Sequence, residues 1–259
     1  MSSQRKIIDI RGRRLGGSIP LICSSLVART AERLTSEAQS TLAKGADVLE
    51  WRVDFFDAIA DTRAVLDATR QLRSAIGDAP LIFTRRAPSE AGQRTVLDED
   101  AVLRLYAAVA ATGKVDFIEY EMDSEPARVR EVRNIASTHH VQLILSYHDF
   151  EATPTLPELM DLFEQAERQM ADVAKIVVTP RVRDDVLNLL VATARADAKL
   201  GIPLVSMSVG GQGVVTRTMG HFFGSAMSFA VGETRSAPGQ LPIADLKIVF
   251  EVLQRARDA

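Results

Sequence analysis

Short apolar runs rich in β-branched residues alternate with longer amphipathic stretches along nearly the whole chain. Runs of this kind are typical of strands buried in a parallel sheet. They predict eight strands, at residues 21–25, 48–53, 81–85, 115–121, 141–147, 173–178, 204–208 and 225–231. The stretches between them have helical spacing. They predict eight helices, at residues 36–44, 62–76, 98–111, from 125 onward, 157–170, 183–200, 214–223 and 245–257.

Eight strands, each followed by a helix, favour a (β/α)8 TIM barrel, which commonly needs ~250 residues. The alternative is an open doubly wound sheet, but no glycine-rich turn follows the first predicted strand. Before the barrel, residues 6–10 and the residues around Arg14 and Leu15 predict a β-hairpin with Gly12 in its turn. We expect this hairpin to close the bottom of the barrel. Since no low-complexity linker interrupts the pattern, we expect residues 1–259 to form one domain.

Composition and charge narrow the possible functions. Of the 259 residues, 46% are hydrophobic and 25% charged, and the net charge of −3 leaves no electrostatic footprint for nucleic acid or an anionic membrane. No stretch approaches the ~20 apolar residues of a membrane helix, and no long apolar run of a signal peptide follows residues 1–6. The single cysteine, Cys23, lies in an apolar run. We therefore expect a cytoplasmic protein that binds neither nucleic acid nor membrane.

Lys175 lies in the middle of the apolar run Val173–Val178. An ammonium is costly to keep charged there, and a neutral amine can attack a carbonyl to form a Schiff base. The alternative is a structural lysine that forms a salt bridge with an inward glutamate such as Glu50 or Glu119. The strand by itself leaves both interpretations open.

His148 follows the preceding apolar run and could exchange protons at neutral pH, or it could simply donate to a loop carbonyl. Glu50 and Arg52 are two residues apart and so point to the same side of their strand. They could orient His148, line a polar substrate or form a structural ion pair.

Polar residues also follow other strands. Arg85 or Arg86 could bind a carboxylate with both guanidinium nitrogens, and the sequence does not decide which of the two would do so. The glycine-rich residues 209–213 precede Arg217 and could cradle an anion or form a plain turn. Residues 236–240 could close over a site or simply connect to the last helix. No metal-ligand spacing, Walker loop or dinucleotide fingerprint is present.

Several of these segments together resemble the type I 3-dehydroquinate dehydratases of the shikimate pathway. The matching segments occur in family order over nearly the whole chain: Glu50-Trp51-Arg52-Val53-Asp54, Phe83-Thr84-Arg85-Arg86, Ser146-Tyr147-His148-Asp149-Phe150, Ala174-Lys175-Ile176, Ser206-Met207-Ser208, Phe223-Gly224-Ser225-Ala226 and Ser236-Ala237-Pro238-Gly239-Gln240.

The resemblance implies a TIM barrel, usually a homodimer, that needs no metal or cofactor and converts 3-dehydroquinate to 3-dehydroshikimate by syn elimination through a lysine imine. It implies that Lys175 forms the Schiff base, that His148 is the general acid and base, and that Glu50 positions this histidine. It further implies substrate contacts from the side chains of Ser25, Arg52, Arg86, Glu90, Met207, Arg217, Phe229, Ser236 and Gln240.

Two other functions fit part of the pattern. A class I lysine aldolase on the same barrel would share Lys175 but would not need a lid at residues 236–240. A non-catalytic relative that only binds a ligand would not need a nucleophilic amine beside a base, so the presence of both Lys175 and His148 argues against it.

Overall fold

The computed structural model describes residues 7–257. Two short strands come first, β1 (Ile8–Ile10) and β2 (Arg13–Leu15). The barrel strands are β3 (Leu21–Leu26), β4 (Val48–Arg52), β5 (Leu81–Thr84), β6 (Phe117–Glu121), β7 (Gln142–Asp149), β8 (Val173–Val178), β9 (Leu204–Ser208) and β10 (Met227–Phe229). The helices are α1 (Ala31–Ala43), α2 (Thr62–Ile76), α3 (Glu99–Ala110), α4 (Pro126–Thr138), α5 (Leu156–Arg168), α6 (Arg183–Lys199), α7 (Val214–Met219) and α8 (Ile243–Arg257). Short 3-10 turns lie at Val53–Phe55, Pro88–Glu90 and Gly220–Phe223.

The eight barrel strands, β3 to β10, form one parallel sheet in the order β10-β3-β4-β5-β6-β7-β8-β9. A parallel bridge between Leu204 and Ser225 brings the two outer strands together, and the Ala226 amide donates to the Leu204 carbonyl at 2.7 Å. The sheet therefore curls into a barrel with the helices outside. The predicted (β/α)8 TIM barrel is confirmed, and the open doubly wound sheet is wrong.

Strand alternation separates two hydrophobic cores. On β8, Val173 and Val177 belong to the core inside the barrel, whereas Ala174 and Ile176 pack between the barrel and the helices. Lys175 has the same parity as the two inward valines, so its side chain enters the barrel. On β4, Trp51 alternates outward and makes edge contacts with two neighbouring rings of the outer core.

The hairpin lies at the amino-terminal end of the barrel. Ile8 and Leu15 are buried in the inner core together with residues that begin the barrel strands. Arg11 in its turn donates to Asp116, just before β6, at 2.5 Å. The predicted bottom-closing hairpin is thus present from Ile8 onward, while Lys6, with which the prediction began, lies outside the described residues.

Some predicted boundaries were wrong. Helix α1 begins at Ala31 rather than at residue 36, because Thr30 caps it by accepting from the Arg33 amide at 3.3 Å, and its first turn lacks the apolar spacing that the prediction relied on. Strand β7 continues through Asp149, so that His148 belongs to the strand. The predicted helix at 214–223 is α7 followed by a 3-10 turn. Helix α2 has its predicted bounds, with Asp61 as N-cap.

Candidate active site

A cavity of about 220 Å³ opens at the carboxyl ends of the barrel strands, where TIM barrels carry their chemistry. Its walls combine charged side chains from several strands with residues of the loops that follow β5 and β10. All twelve residues proposed from the sequence line it: Ser25, Glu50, Arg52, Arg86, Glu90, His148, Lys175, Met207, Arg217, Phe229, Ser236 and Gln240. The fold therefore brings together side chains that are up to 215 residues apart in the chain.

Lys175 is 4% exposed and reaches the cavity from β8. Its Nζ lies 2.8 and 2.9 Å from the two carboxylate oxygens of Glu119 on β6, and 3.5 Å from Oε1 of Glu50 on β4. It also lies 4.4 Å from the centre of the Phe229 ring, a cation–π distance. The salt bridge expected of a structural lysine is thus present, and it leaves the amine at the wall of the cavity.

Arg86 connects this lysine to His148. One guanidinium nitrogen donates to Glu119, and the other lies 3.0 Å from Glu90, from the Ser146 hydroxyl and from Nδ1 of His148. Arg86 is therefore the arginine of the pair that faces the cavity.

Arg85 points the opposite way. Its guanidinium bonds Glu99 on α3, and its amide donates to the Tyr106 hydroxyl at 2.9 Å. Although β5 ends at Thr84, the in–out alternation continues for two more residues, which assigns Arg86 to the interior.

The structure corrects the role expected of Glu50. Its carboxylate accepts from the hydroxyls of Ser25 at 2.5 Å and Thr84 at 3.2 Å. The carboxylate against His148 is that of Glu90, whose Oε2 is 2.8 Å from Nδ1 and whose Oε1 accepts from the His148 amide at 3.0 Å. The prediction that Glu50 positions His148 is wrong, because the 3-10 turn at Pro88–Glu90 folds inward and brings Glu90 to the histidine.

His148 and Glu90 both have shifted pKa values. Burial, followed by the positive charges of Arg86 and Lys175, holds the pKa of the His148 imidazole well below its usual value. Burial also raises the pKa of the Glu90 carboxyl to about 8, although the charge of Arg86 opposes the shift. His148 is consequently a neutral imidazole near pH 7, a form that can accept a proton.

Arg217, from α7, is a buried cation without an acidic partner among residues 7–257. The residue is 2% exposed, and its guanidinium donates to Sδ of Met207 at 3.2 Å and to the carbonyl oxygens of Phe229 at 3.3 Å and Pro238 at 3.5 Å. Burial lowers its pKa to about 10. Arg52, by contrast, forms two bonds of 2.8 Å with Asp54. An unpaired buried guanidinium is costly, and an anionic ligand would offset the cost.

Residues 236–240 lie across the cavity. The Ser236 hydroxyl donates to Ser25 at 3.2 Å, and the Gln240 amide donates to Ser236 at 2.9 Å. The Gly210 amide donates to the Pro238 carbonyl at 3.1 Å. This loop therefore covers the site, and it is more than a connection to α8.

Other polar strand residues are not in the site. Ser206 points away from the barrel interior and shares a 2.7 Å hydrogen bond with Thr193 of α6, and the Ser208 amide donates to Thr216 of α7. Two relevant residues were not proposed for the site. Glu119 contacts both Lys175 and Arg86, and its two-residue spacing from Glu121 was the available signal. Phe150 stacks on His148, with ring centres 6.0 Å apart.

Two structural features are absent from residues 7–257. No group of three or more His, Cys, Asp or Glu side chains there is arranged to hold a metal ion. Within the same range, none of the helices combines the length and apolarity needed to cross a membrane.

Comparison with known proteins assigns the family. The model of the type I 3-dehydroquinase family matches residues 22–257. The chain belongs to this family. It is 47% identical to 3-dehydroquinate dehydratase of Albidiferax ferrireducens over 97% of this chain and 96% of that protein. It is 41% identical to the same enzyme of Geobacillus thermodenitrificans over 98% of this chain and 99% of that one.

Solved structures of the family have the same fold. The crystal structure of 3-dehydroquinate dehydratase from Geobacillus kaustophilus superposes on this chain with a TM-score of 0.95 and 41% sequence identity. The match covers 98% of this chain and 99% of that one. The type I enzyme from Clostridium difficile is 32% identical, with a TM-score of 0.93 over 97% of this chain and 99% of its own. This type I 3-dehydroquinase is therefore a hydro-lyase of the shikimate pathway that dehydrates 3-dehydroquinate, which excludes the aldolase and the non-catalytic relative.

Proposed function

We propose that this enzyme removes water from 3-dehydroquinate by syn elimination through an imine on Lys175. The observation that carries the proposal is the arrangement of three groups in one cavity: a buried amine, a neutral imidazole and an unpaired guanidinium. The C. difficile relative was solved with covalent modified comenic acid, and this supports covalent chemistry at a site of this family.

Substrate binding follows from the charges. The unpaired Arg217 would take the carboxylate of 3-dehydroquinate, and Arg52 and Arg86 would hold hydroxyl groups of the ring. Met207 and Phe229 give the ring an apolar wall. Ser25, Glu90, Ser236 and Gln240 add polar contacts, and residues 236–240 exclude water.

The chemistry begins at the lysine. After its ammonium has given one proton to water, the Lys175 amine adds to the C3 carbonyl to form a carbinolamine. That proton, taken back from water, lets the carbinolamine hydroxyl leave as water, which leaves a protonated imine. The imine draws electrons from the adjacent C2–H bond and so acidifies that proton. His148 takes the proton, and the electron pair of the broken C2–H bond moves into the C2–C3 bond, which turns the protonated imine into a neutral enamine.

The same histidine completes the elimination. The protonated His148 gives its proton to the C1 hydroxyl, which departs as water while the enamine electrons form the C1–C2 double bond and restore the protonated imine. Because one side chain takes and returns the proton, both groups leave from the same face of the ring. Hydrolysis of the product imine then frees Lys175. Glu90 holds the imidazole through its 2.8 Å contact with Nδ1.

Reductive trapping tests the covalent step. Borohydride added with 3-dehydroquinate should leave a stable adduct on the peptide that contains Lys175, detected by mass spectrometry. Lys175→Ala should lose the adduct and about 10⁴-fold or more of its activity. Lys199→Ala is the control, because Lys199 is exposed and pairs with Glu164 on the surface. An active wild-type enzyme that forms no adduct would exclude the imine.

A second variant tests the role of His148 separately from that of Lys175. His148→Ala should still form the trapped adduct but should lose about 10²- to 10⁴-fold in turnover, measured from the ultraviolet absorbance of the conjugated product. Full turnover by this variant would exclude His148 as the acid and base.

We extend the proposal to the whole protein: residues 1–259 form one catalytic domain, and the enzyme works as a cytoplasmic homodimer without a metal or cofactor. Light scattering of the purified protein measures its mass, and a value near the 28.3 kDa of one chain would contradict the dimer.

A further inference from the structure

We infer that Glu119 is the counter-ion of the reacting nitrogen, which it holds in place first as the Lys175 ammonium and then as the protonated imine. The inference rests on the proposed function, because it assigns a role within that chemistry to a residue outside the proposed substrate contacts. Glu119 contacts the reacting atom itself through both carboxylate oxygens, at 2.8 and 2.9 Å.

The distances single out Glu119 from the other carboxylates. Glu50 is 3.5 Å from Nζ, and its oxygens accept from Ser25 and Thr84 instead. Among residues 7–257, no hydroxyl donates to the Glu119 carboxylate, which accepts from Lys175 and from Arg86. Its charge is therefore directed at the two cations that connect the amine with His148.

The surroundings hold this carboxylate in its ionised form. Burial acts to raise the pKa of the Glu119 carboxyl, but the charges of Arg86 and Lys175 outweigh it and hold the pKa below its usual value. Its backbone is fixed as well, because the buried Tyr106 hydroxyl donates to the Glu119 carbonyl at 2.6 Å. An anion so fixed needs no reorganisation when the nitrogen becomes an imine.

The imine makes a counter-ion useful. The ammonium form of Lys175 and the protonated imine each place a positive charge on the same nitrogen. An anion within hydrogen-bond distance of that atom stabilises the electron sink on which removal of the C2 proton depends. It also disfavours the neutral amine, so the proposed role has opposite effects on the two steps.

Glu121 supplies a matched control on the same strand. It too points inward and is 3% exposed, but it accepts from the Ala87 amide at 2.8 Å and lies 3.7 Å from Arg86. It makes no hydrogen bond or ion pair with Lys175 among the described residues. Burial raises the pKa of Glu121, whereas that of Glu119 is lowered.

Several other ionisable groups surround the lysine and must be considered in any pH experiment. They come from five neighbouring elements, and together they are Cys23 on β3, Glu50 on β4, Arg86 after β5, Glu119 on β6 and His148 on β7. Cys23, Glu50, Arg86 and His148 are the same in Glu119→Gln and Glu121→Gln, so a comparison of these two variants isolates the effect of Glu119.

The first experiment measures how fast acetic anhydride modifies Lys175 in the free enzyme as a function of pH, read by mass spectrometry of its peptide. Without the anion at 2.8 Å, the ammonium is less stable, so the midpoint of the curve in Glu119→Gln should move to lower pH by about 1 to 3 units. The midpoint of Glu121→Gln should stay at the wild-type value. Equal midpoints in Glu119→Gln and wild type, or equal shifts in both variants, would overturn the inference.

The second readout is turnover. Glu119→Gln should lower kcat about 100-fold with a smaller change in KM, because the charge is needed at the imine and not for binding. An unchanged kcat would also overturn the inference. Glu119→Asp keeps the charge but moves it back by one methylene. The midpoint of its pH curve for Lys175 modification should therefore lie between those of wild type and Glu119→Gln. If the glutamine variant does not fold, a wild-type midpoint in the aspartate variant would refute the role.

Reductive trapping of the wild-type enzyme distinguishes the two proposals. If wild type forms no adduct on Lys175, the imine mechanism fails, whatever the variants do. If wild type forms the adduct but the midpoint is insensitive to Glu119→Gln, only the role of Glu119 is refuted.

Discussion

At the residue scale, the site compensates most of its buried charges in pairs or triplets. Lys175 and Arg86 share Glu119, and Arg52 is paired with Asp54. Such pairing is what makes charged side chains tolerable inside a barrel. Arg217 differs, since its contacts are a thioether and two carbonyl oxygens. That difference makes it the group with most to gain from an anionic substrate.

Replacing Arg217 separates binding from stability. Arg217→Met should raise KM for 3-dehydroquinate about 10- to 100-fold, because a charge-assisted hydrogen bond to the carboxylate is lost. Its urea midpoint should be equal to or above that of wild type, since an unpaired buried cation is removed. Steady-state kinetics and urea unfolding measure the two effects. Arg195→Met, on the exposed face of α6, should change neither. A wild-type KM in Arg217→Met would contradict the assigned role.

At the element scale, the loop after β5 determines what surrounds His148. Its 3-10 turn begins with Pro88 and ends at Ala91, whose φ is 59°. Asp54 accepts from the Arg86 amide at 3.3 Å and from the Gln93 amide at 3.0 Å, which joins the two ends of the loop. This fold turns both Arg86 and Glu90 toward the cavity.

Gly92 is the residue in this loop that cannot carry a side chain. A Cβ there would lie 1.9 Å from the Arg86 carbonyl oxygen, so Gly92→Ala must displace the backbone of Arg86. We expect kcat/KM to fall about 100-fold, since a shift of about 1 Å in a positioning group has that effect, while the far-ultraviolet circular dichroism stays native. Gly211→Ala is the control, because a Cβ there meets no atom within 4 Å. Wild-type kcat/KM in Gly92→Ala would show that the loop adapts.

The boundaries of some helices and strands are predicted from the sequence better than those of others. Helix α2 has the predicted bounds because an Asp61 cap and an apolar stripe coincide with its two ends. Helix α1 was predicted to begin five residues too late, since the exposed Glu32 and Arg33 interrupt the apolar spacing in its first turn. Strand β10 has only three residues where seven were predicted, because the ladder there depends on its partner β3.

At the scale of the whole molecule, stability and chemistry occupy opposite ends of the barrel. The hairpin closes the amino-terminal end with Ile8 and Leu15, and Asp116 accepts from Arg11 and Arg73 at 2.5 and 2.8 Å. The cavity lies at the carboxyl end. The barrel interior between the two ends is filled by side chains, so changes at the bottom should not reach the site.

Truncation of Leu15 tests this separation. Leu15 is fully buried, so Leu15→Ala should lower the free energy of unfolding by about 2–5 kcal/mol, measured by urea denaturation. KM and kcat should stay within about twofold of wild type, because the site lies at the other end. Ile19→Ala, at a 52% exposed position, should change stability by less than about 0.5 kcal/mol. A large change in KM for Leu15→Ala would indicate that the two ends are coupled.

The sequence by itself determined the architecture and the inventory of the site. Short strand-like runs that alternate with longer helical stretches encode eight βα units, and parity puts Glu50 and Arg52 on one side of their strand because side-chain direction is a local property of the backbone. Polar residues at strand ends indicated where the cavity would lie, since parallel strands end on one side of the barrel. The resemblance to the family then implied the residues that line it.

Only the tertiary structure decided which of these groups touch. Arg86 rather than Arg85 faces inward, Glu90 rather than Glu50 meets His148, and Glu119 lies against the lysine. These contacts join segments that are far apart in the chain, and they depend on the curl of the sheet and the fold of the loop after β5. Neither is encoded in a local pattern, because partners in a barrel are chosen by geometry across its interior.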